Sequence, residues 1–160
     1  MTRVVQVRES NPIRIERGFQ PFRTTAEIDG LVEAFEACTL PRSQWTHASH
    51  LTVALWYLRN RSANEAAAAI RSGIKRYNEA NGVRTTPTGG YHETITLFWT
   101  CAVSFYLGQA GGARSILALA NGMLRLFGNK DLPLEYYTHK RLMSRRARTS
   151  WVEPDLKPLF

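Results

Sequence analysis

From position 24 onward, apolar residues recur every three or four positions, and short breaks of Gly, Pro, Ser and Asn interrupt them. That pattern predicts amphipathic helices joined by turns. Thr24 with Glu27 has the form of a capping box, and Ile28, Leu31, Val32 and Phe35 follow at helical spacing. This first helix should end near Cys38, because Pro41 follows. A second helix should start near Ser43 or Thr46 and run to about Asn60, with Leu51, Ala54, Leu55 and Leu58 on its apolar face. Ser62 and Glu65 offer another capping box, which opens a helix through Ala66–Ala69 that carries Ile70, Ile74 and Tyr77. Asn81-Gly82 should end it. After a polar loop over residues 83–90, a fourth helix over about Tyr91–Leu107 is apolar nearly all round and is expected in the middle of the fold, with Gly108, Gly111 and Gly112 breaking it. A fifth helix is predicted over about Ala113–Phe127, before Gly128, and a short one over about Leu134–Arg148.

The two ends read differently. Pro12 and Pro21 interrupt any long element in residues 1–23, so an extended arm is expected, with a short strand at 13–15, laid over the helical body or a neighbouring subunit. A homodimer would suit such an arm. The C-terminal WVEPDLKPLF, punctuated by Pro154 and Pro158, is expected to be irregular. The expectation is therefore an all-α fold: a bundle of four to five main helices over residues 24–160, with an extended N-terminal arm and an irregular C-terminal tail.

Composition adds bounds. The 160 residues, 44% hydrophobic and 21% charged, suit one domain able to bury a core without disulfides. The apolar runs around Leu51–Leu58 and Ile95–Leu107 are broken by Thr and Ser and fall short of the ~20 residues that span a bilayer, so no membrane partner is expected. Arg3 and Arg8 precede no apolar stretch, which does not read as a signal peptide. Cys38 and Cys101 stand in no ligand-like spacing and suit a reduced, cytoplasmic protein better than a disulfide scaffold. The net charge is +8, concentrated in the two ends. Lys140, Arg141, Arg145, Arg146 and Arg148 form a basic run that either binds anions or is a solvated helix face, with Arg148 able to turn inward to a carboxylate such as Glu153. Nucleic-acid binding is not expected, because no helix-turn-helix, RNA-binding or zinc-finger pattern accompanies the charge.

The candidate chemistry lies in three of the four histidines. Trp45-Thr46-His47-Ala48-Ser49-His50-Leu51 opens the second predicted helix, and residues at i and i+3 share a helix face. His47 and His50 can therefore point both imidazoles at one ion. Gly90-Tyr91-His92-Glu93-Thr94 opens the fourth helix. If the two helices are neighbours, His92 completes a three-nitrogen set for one divalent transition metal, with Zn, Fe, Ni, Mn and Cu all open. Glu93 would then be a catalytic base on a metal-bound water, a further ligand or an orienting partner. Trp45 and Tyr91 flank the motifs as candidate substrate-binding residues, with Arg148 as an anion partner. Trp99 reads more simply as core, and His139, among basic residues, as a surface histidine. The alternative without metal is a hydrogen-bonded network of His47, His50, His92 and Glu93 around a pocket for a small anionic molecule. A third reading is a basic interaction protein that engages nucleic acid or a partner through its arm and its Arg cluster. No Walker loop, nucleophile elbow or Ser-His-Asp pattern is present.

Taken together, WTHxxHL, YNEANGV, TPTGGYHETIT and the C-terminal SxxARxxW with PDL resemble a family of small, uncharacterised bacterial all-helical proteins, over roughly residues 31–158. The resemblance implies an all-helical fold and no particular activity. A looser similarity is to DinB-like bundles, which place three histidines around a divalent metal. Here the pair comes first, at i and i+3, and the single histidine follows. These readings converge on a metal-dependent, hydrolase-like enzyme for a small polar substrate, with the metal-free pocket as the alternative.

Overall fold

A computed structural model describes residues 21–112 and 114–160. Within them the chain forms five long helices and two short ones: α1 (Thr25–Glu36), α2 (His47–Asn60), α3 (Ala63–Ala80), α4 (Glu93–Ala110), α5 (Ile116–Phe127), α6 (His139–Leu142) and α7 (Arg145–Thr149). Single 3-10 turns lie at Arg42–Gln44 and Leu132–Glu135. No strand occurs among the described residues, and the fold is an all-α bundle. No helix among them is long and apolar enough to cross a membrane. The expected arm, with its strand at 13–15, lies outside the described residues except for its last three positions. There Asn121 on α5 holds Phe22 by two hydrogen bonds, accepting from the Phe22 N–H and donating to its carbonyl, each 2.9 Å long.

Local chemistry explains the helix starts. The hydroxyls of Thr24, Thr46, Ser62 and Ser115 each accept the N–H three residues on, which satisfies one of the donors left over at a helix N-terminus. Only Ser62 completes the reciprocal box, through the Glu65 carboxylate. Glu27 instead accepts from the Arg23 N–H, one position earlier. The segment expected as one helix from Leu134 to Arg148 is three pieces. Thr138 and Ser144 are both extended in backbone and cap the turns that follow them, so each restarts the helix.

The core lies where α2 meets α1, α3, α4 and α5. α1 gives Ile28, Val32 and Phe35, and α3 gives Ala66, Ile70, Gly73 and Tyr77, both at i, i+4, i+7 spacing. Gly73 sets how closely these two helices approach: a Cβ there would lie 2.9 Å from the Phe35 ring. α4 was expected at the centre, but it shares that place with α2. One side of α4 faces outward with Cys101, Ser104 and Phe105, whereas α2 buries Leu51, Thr52, Val53, Ala54 and Leu55 in an unbroken run. An apolar helix face and a central position are different things, because folded proteins expose much apolar area.

The C-terminal tail is irregular, as expected, and pinned. Thr94 on α4 donates to the Ser150 carbonyl and accepts from the Val152 N–H, and the Tyr137 hydroxyl donates to the Val152 carbonyl. These bonds lay the tail along the start of α4, beside α7.

Candidate functional site

Between α2, α3 and α4 lies a half-open cavity of about 520 Å³, within the range of small-molecule sites. The WTHASH motif supplies one wall through Trp45, His47 and His50, and α3 supplies Ile70, Ile74 and Tyr77. α4 contributes Ile95, Thr96, Trp99 and Thr100, and the loop before it contributes Val83 and the segment Gly90–His92. Ala54, Asn78 and two exposed cations, Arg42 and Lys130, complete the lining. The two histidine motifs therefore do meet, at one cavity.

The ring nitrogens are held by the protein in three different ways. His92 is not inside α4 but is its N-cap: Nδ1 accepts the Ile95 N–H at 3.3 Å, so it carries no proton. Nε2 lies 2.9 Å from the Leu142 carbonyl oxygen, which can only accept, so Nε2 is the donor. Both nitrogens of this buried, neutral imidazole are thus engaged with backbone, and burial holds its pKa below the usual histidine value. His47 Nε2 lies 2.8 Å from the Phe127 carbonyl at the end of α5, and its ring packs 4.6 Å from that of Trp99. His50 donates from Nδ1 to the Thr46 carbonyl at 2.7 Å and lies 3.8 Å from the Trp45 ring. Burial pushes its pKa down to about 4; the Thr46 carbonyl opposes that shift and His47 adds to it. At neutral pH His50 is therefore an uncharged ring with a lone pair on Nε2.

These tautomers bear on metal binding. A ligand histidine must offer a lone pair to the ion. His92 could do so only by giving up either the cap of α4 or the Leu142 carbonyl. Among the described residues no group of three or more His, Cys, Asp or Glu side chains is placed to hold an ion. As arranged, the three histidines line one cavity without converging as a three-nitrogen set.

Glu93 lies outside the cavity lining. Its carboxylate accepts from Arg71 Nε on α3 at 2.7 Å and from the Tyr91 hydroxyl at 2.6 Å. Burial, and then the neighbouring carboxylate, raise the Tyr91 pKa. Lys75 Nζ stands 4.8 Å from the Tyr91 ring centre. The result is a clamp between α3 and the start of α4. Arg148 turns inward, as one reading allowed, but to carbonyls rather than to Glu153: its guanidinium donates to Pro87, Gly90 and Tyr91 at 3.1–3.4 Å. Glu153 instead accepts from the Trp151 indole. Arg148 holds the loop that forms one cavity wall and does not line the cavity. That loop closes tightly at Gly90, where φ is +79° and a Cβ would stand 2.5 Å from the Arg84 carbonyl oxygen.

Of the expected substrate-binding residues, Trp45 and Tyr91 line the cavity and Arg148 does not. Several wall residues carry little sequence signal: Ile70, Ile74 and Tyr77 read as core because they recur at helical spacing, and Arg42 and Lys130 are isolated charges in turns. Thr96 and Thr100 could have been found. They stand at i and i+4 beside Ile95, Trp99 and Val103, which marks a polar stripe on an apolar helix. Trp99 read as plain packing yet stands in the wall.

Comparison of the chain with protein-family models, curated proteins and solved structures returns no match.

Proposed function

We propose that the cavity between α2, α3 and α4 is a binding site for a small organic molecule and works without a metal. One observation carries this: the wall combines Trp45, Tyr77 and Trp99 with backbone-anchored imidazoles around about 520 Å³ of half-open space. A preformed pocket lowers the ordering cost of binding. Every histidine proton assigned above already has a carbonyl partner, so the wall keeps its shape whether or not a ligand is present. The two unpaired cysteines, Cys38 and Cys101, support a reducing, cytoplasmic setting.

The test is a fragment library read by melting temperature. Binding of the native state raises stability by mass action, so fragments that occupy the cavity should raise the transition of the wild type. They should not raise that of Ile74→Trp, which fills the space. A library with no hit, or hits retained in Ile74→Trp, overturns the proposal.

A second reading, one transition metal held by the histidines, rests on a single observation, that His47, His50 and His92 line the same cavity. It requires His92 to leave a backbone partner. Elemental analysis of untagged protein beside His47→Ala/His92→Ala decides it: one equivalent of metal, lost in the variant, would replace the metal-free proposal.

A further inference from the structure

The hydrogen bonds of the cavity wall narrow the ligand class. The Tyr77 hydroxyl donates to the Leu40 carbonyl and the Tyr91 hydroxyl to Glu93. Thr96 donates to the His92 carbonyl and Thr100 to the Thr96 carbonyl, both at 2.8 Å. His50 donates from Nδ1 to the Thr46 carbonyl. Each of these protons already belongs to a protein acceptor. What the same groups keep for a ligand is lone pairs: Nε2 of His50 and the hydroxyl oxygens of Thr96 and Thr100. The lining contains no Asp or Glu, but it does contain two exposed cations, Arg42 and Lys130. Neither cation has an ion-pair partner among the described residues. The lining also holds the indole N–H groups of Trp45 and Trp99 and the Asn78 amide; the wall is aromatic, it offers lone pairs at His50, Thr96 and Thr100, and its fixed charge is positive.

We propose that the ligand is a flat aromatic acid bearing a ring N–H or O–H, its acid group met by Arg42 and Lys130 and its donor received by Nε2 of His50. The proposal rests on the cavity being a ligand site. A cationic ligand would find no counter-charge there, and a body bearing only acceptors would leave the His50 and Thr lone pairs unmatched, which costs binding energy. Trp45, Tyr77 and Trp99 in the wall supply aromatic surface against which a planar ring can pack.

The test uses matched triplets built on simple ring acids, with indole-3-carboxylate as the first parent. Its partners are 1-methylindole-3-carboxylate, which lacks the donor, and indole-3-carboxamide, which lacks the charge. Quinolone, hydroxynaphthoate and aminobenzoate triplets follow the same plan, and affinities are read by calorimetry on the full chain. In the triplet that binds best, loss of the donor should weaken binding about fivefold, the scale of one hydrogen bond. Loss of the charge should weaken it about threefold to tenfold, and added salt should shrink that difference. Arg42→Gln/Lys130→Gln should erase the preference for the acid over the amide and leave the amide unchanged. His50→Phe, which keeps a ring against Trp45, should erase the preference for the N–H parent over its methylated partner. If His50→Phe does not fold, the methylated ligand still tests the donor in the wild type. Equal binding within every triplet overturns this inference and leaves the cavity proposal standing. No binding by any member up to about 5 mM also overturns this inference, and the fragment library then decides the cavity proposal by itself.

Discussion

The two histidine motifs look alike in the sequence and behave differently in the fold. WTHASH and GYHET each open a helix, each beside an aromatic residue and a threonine. In the first, Thr46 is the cap, so His47 and His50 fall inside the first turn and reach the cavity one turn apart. In the second, His92 is itself the cap, and α4 begins at Glu93. His92 thereby becomes a structural fastener between α4 and the Leu142 carbonyl at the end of α6, and Glu93 turns towards Arg71. One position in cap register separates His92, which must cap its own helix, from His47, whose helix is capped by Thr46. Residue type and spacing cannot distinguish the two; the direction of the capping hydrogen bond can.

That contrast can be broken by substitution. The largest expected effect is at His92. His92→Ala removes the cap of α4 and leaves the Leu142 carbonyl without its donor, a loss of about 3 kcal/mol in urea unfolding. His92→Asn, which can still cap, should recover about half of it. If His92→Ala unfolds like the wild type, the fastener role is wrong. Arg148→Met should cost somewhat less, about 2 kcal/mol, since it leaves three loop carbonyls unsatisfied. It should also weaken ligand binding by loosening the wall formed by Gly90 and Tyr91, although Arg148 touches no ligand. A loss of stability with unchanged affinity would separate the loop from the cavity.

The pH dependence comes next and sharpens the same contrast. Both His50 and His92 have pKa values below the unfolded value of about 6.5. As pH falls the unfolded chain takes up these protons first. Stability is therefore full above about pH 6.5 and declines towards pH 4, where His50 itself begins to charge. His50→Phe should flatten part of this slope and leave the part that belongs to His92 and, towards pH 4, to the carboxylates of Glu65 and Asp155. A slope unchanged in His50→Phe would contradict the buried, neutral assignment. The smallest effect is expected for Glu93→Gln. Its partner Arg71 is 38% exposed at the side chain, so the loss should be about 1 kcal/mol or less. Ligand affinity should fall less than in Arg148→Met, because Glu93 lies outside the wall and anchors only the Tyr91 hydroxyl. A large loss of affinity would return Glu93 to the site.

Much of the fold was legible because it depends on short-range chemistry. Thr24, Thr46 and Ser62 mark helix starts through hydroxyls that reach three residues ahead, and Asn81-Gly82 marks a stop, with Gly82 at φ +67°. The C-terminal region was less legible, because Thr138 and Ser144 can sit inside a helix or cap one, and only tertiary partners decide. For Thr138 the partner is Asp155, whose carboxylate accepts both its N–H and its hydroxyl. The site was half legible. The motifs brought Trp45, His47, His50, Tyr91 and His92 to one cavity, but the walls from α3 are ordinary core residues until the neighbouring helices leave a gap beside them. The roles of Glu93 and Arg148 depended on carbonyls and side chains 22 to 61 positions away in sequence, beyond the reach of any local pattern.

The central claim, that this cavity receives a small organic molecule, is tested most directly by amide NMR on the full chain titrated with a fragment mixture that includes simple aromatic acids. The account predicts saturable shifts at Trp45–Ala54, Ile70–Asn78 and Ile95–Thr100, with α6 and α7 left in place. Shifts confined to the basic surface of α6 and α7, or none along the cavity wall, would contradict it.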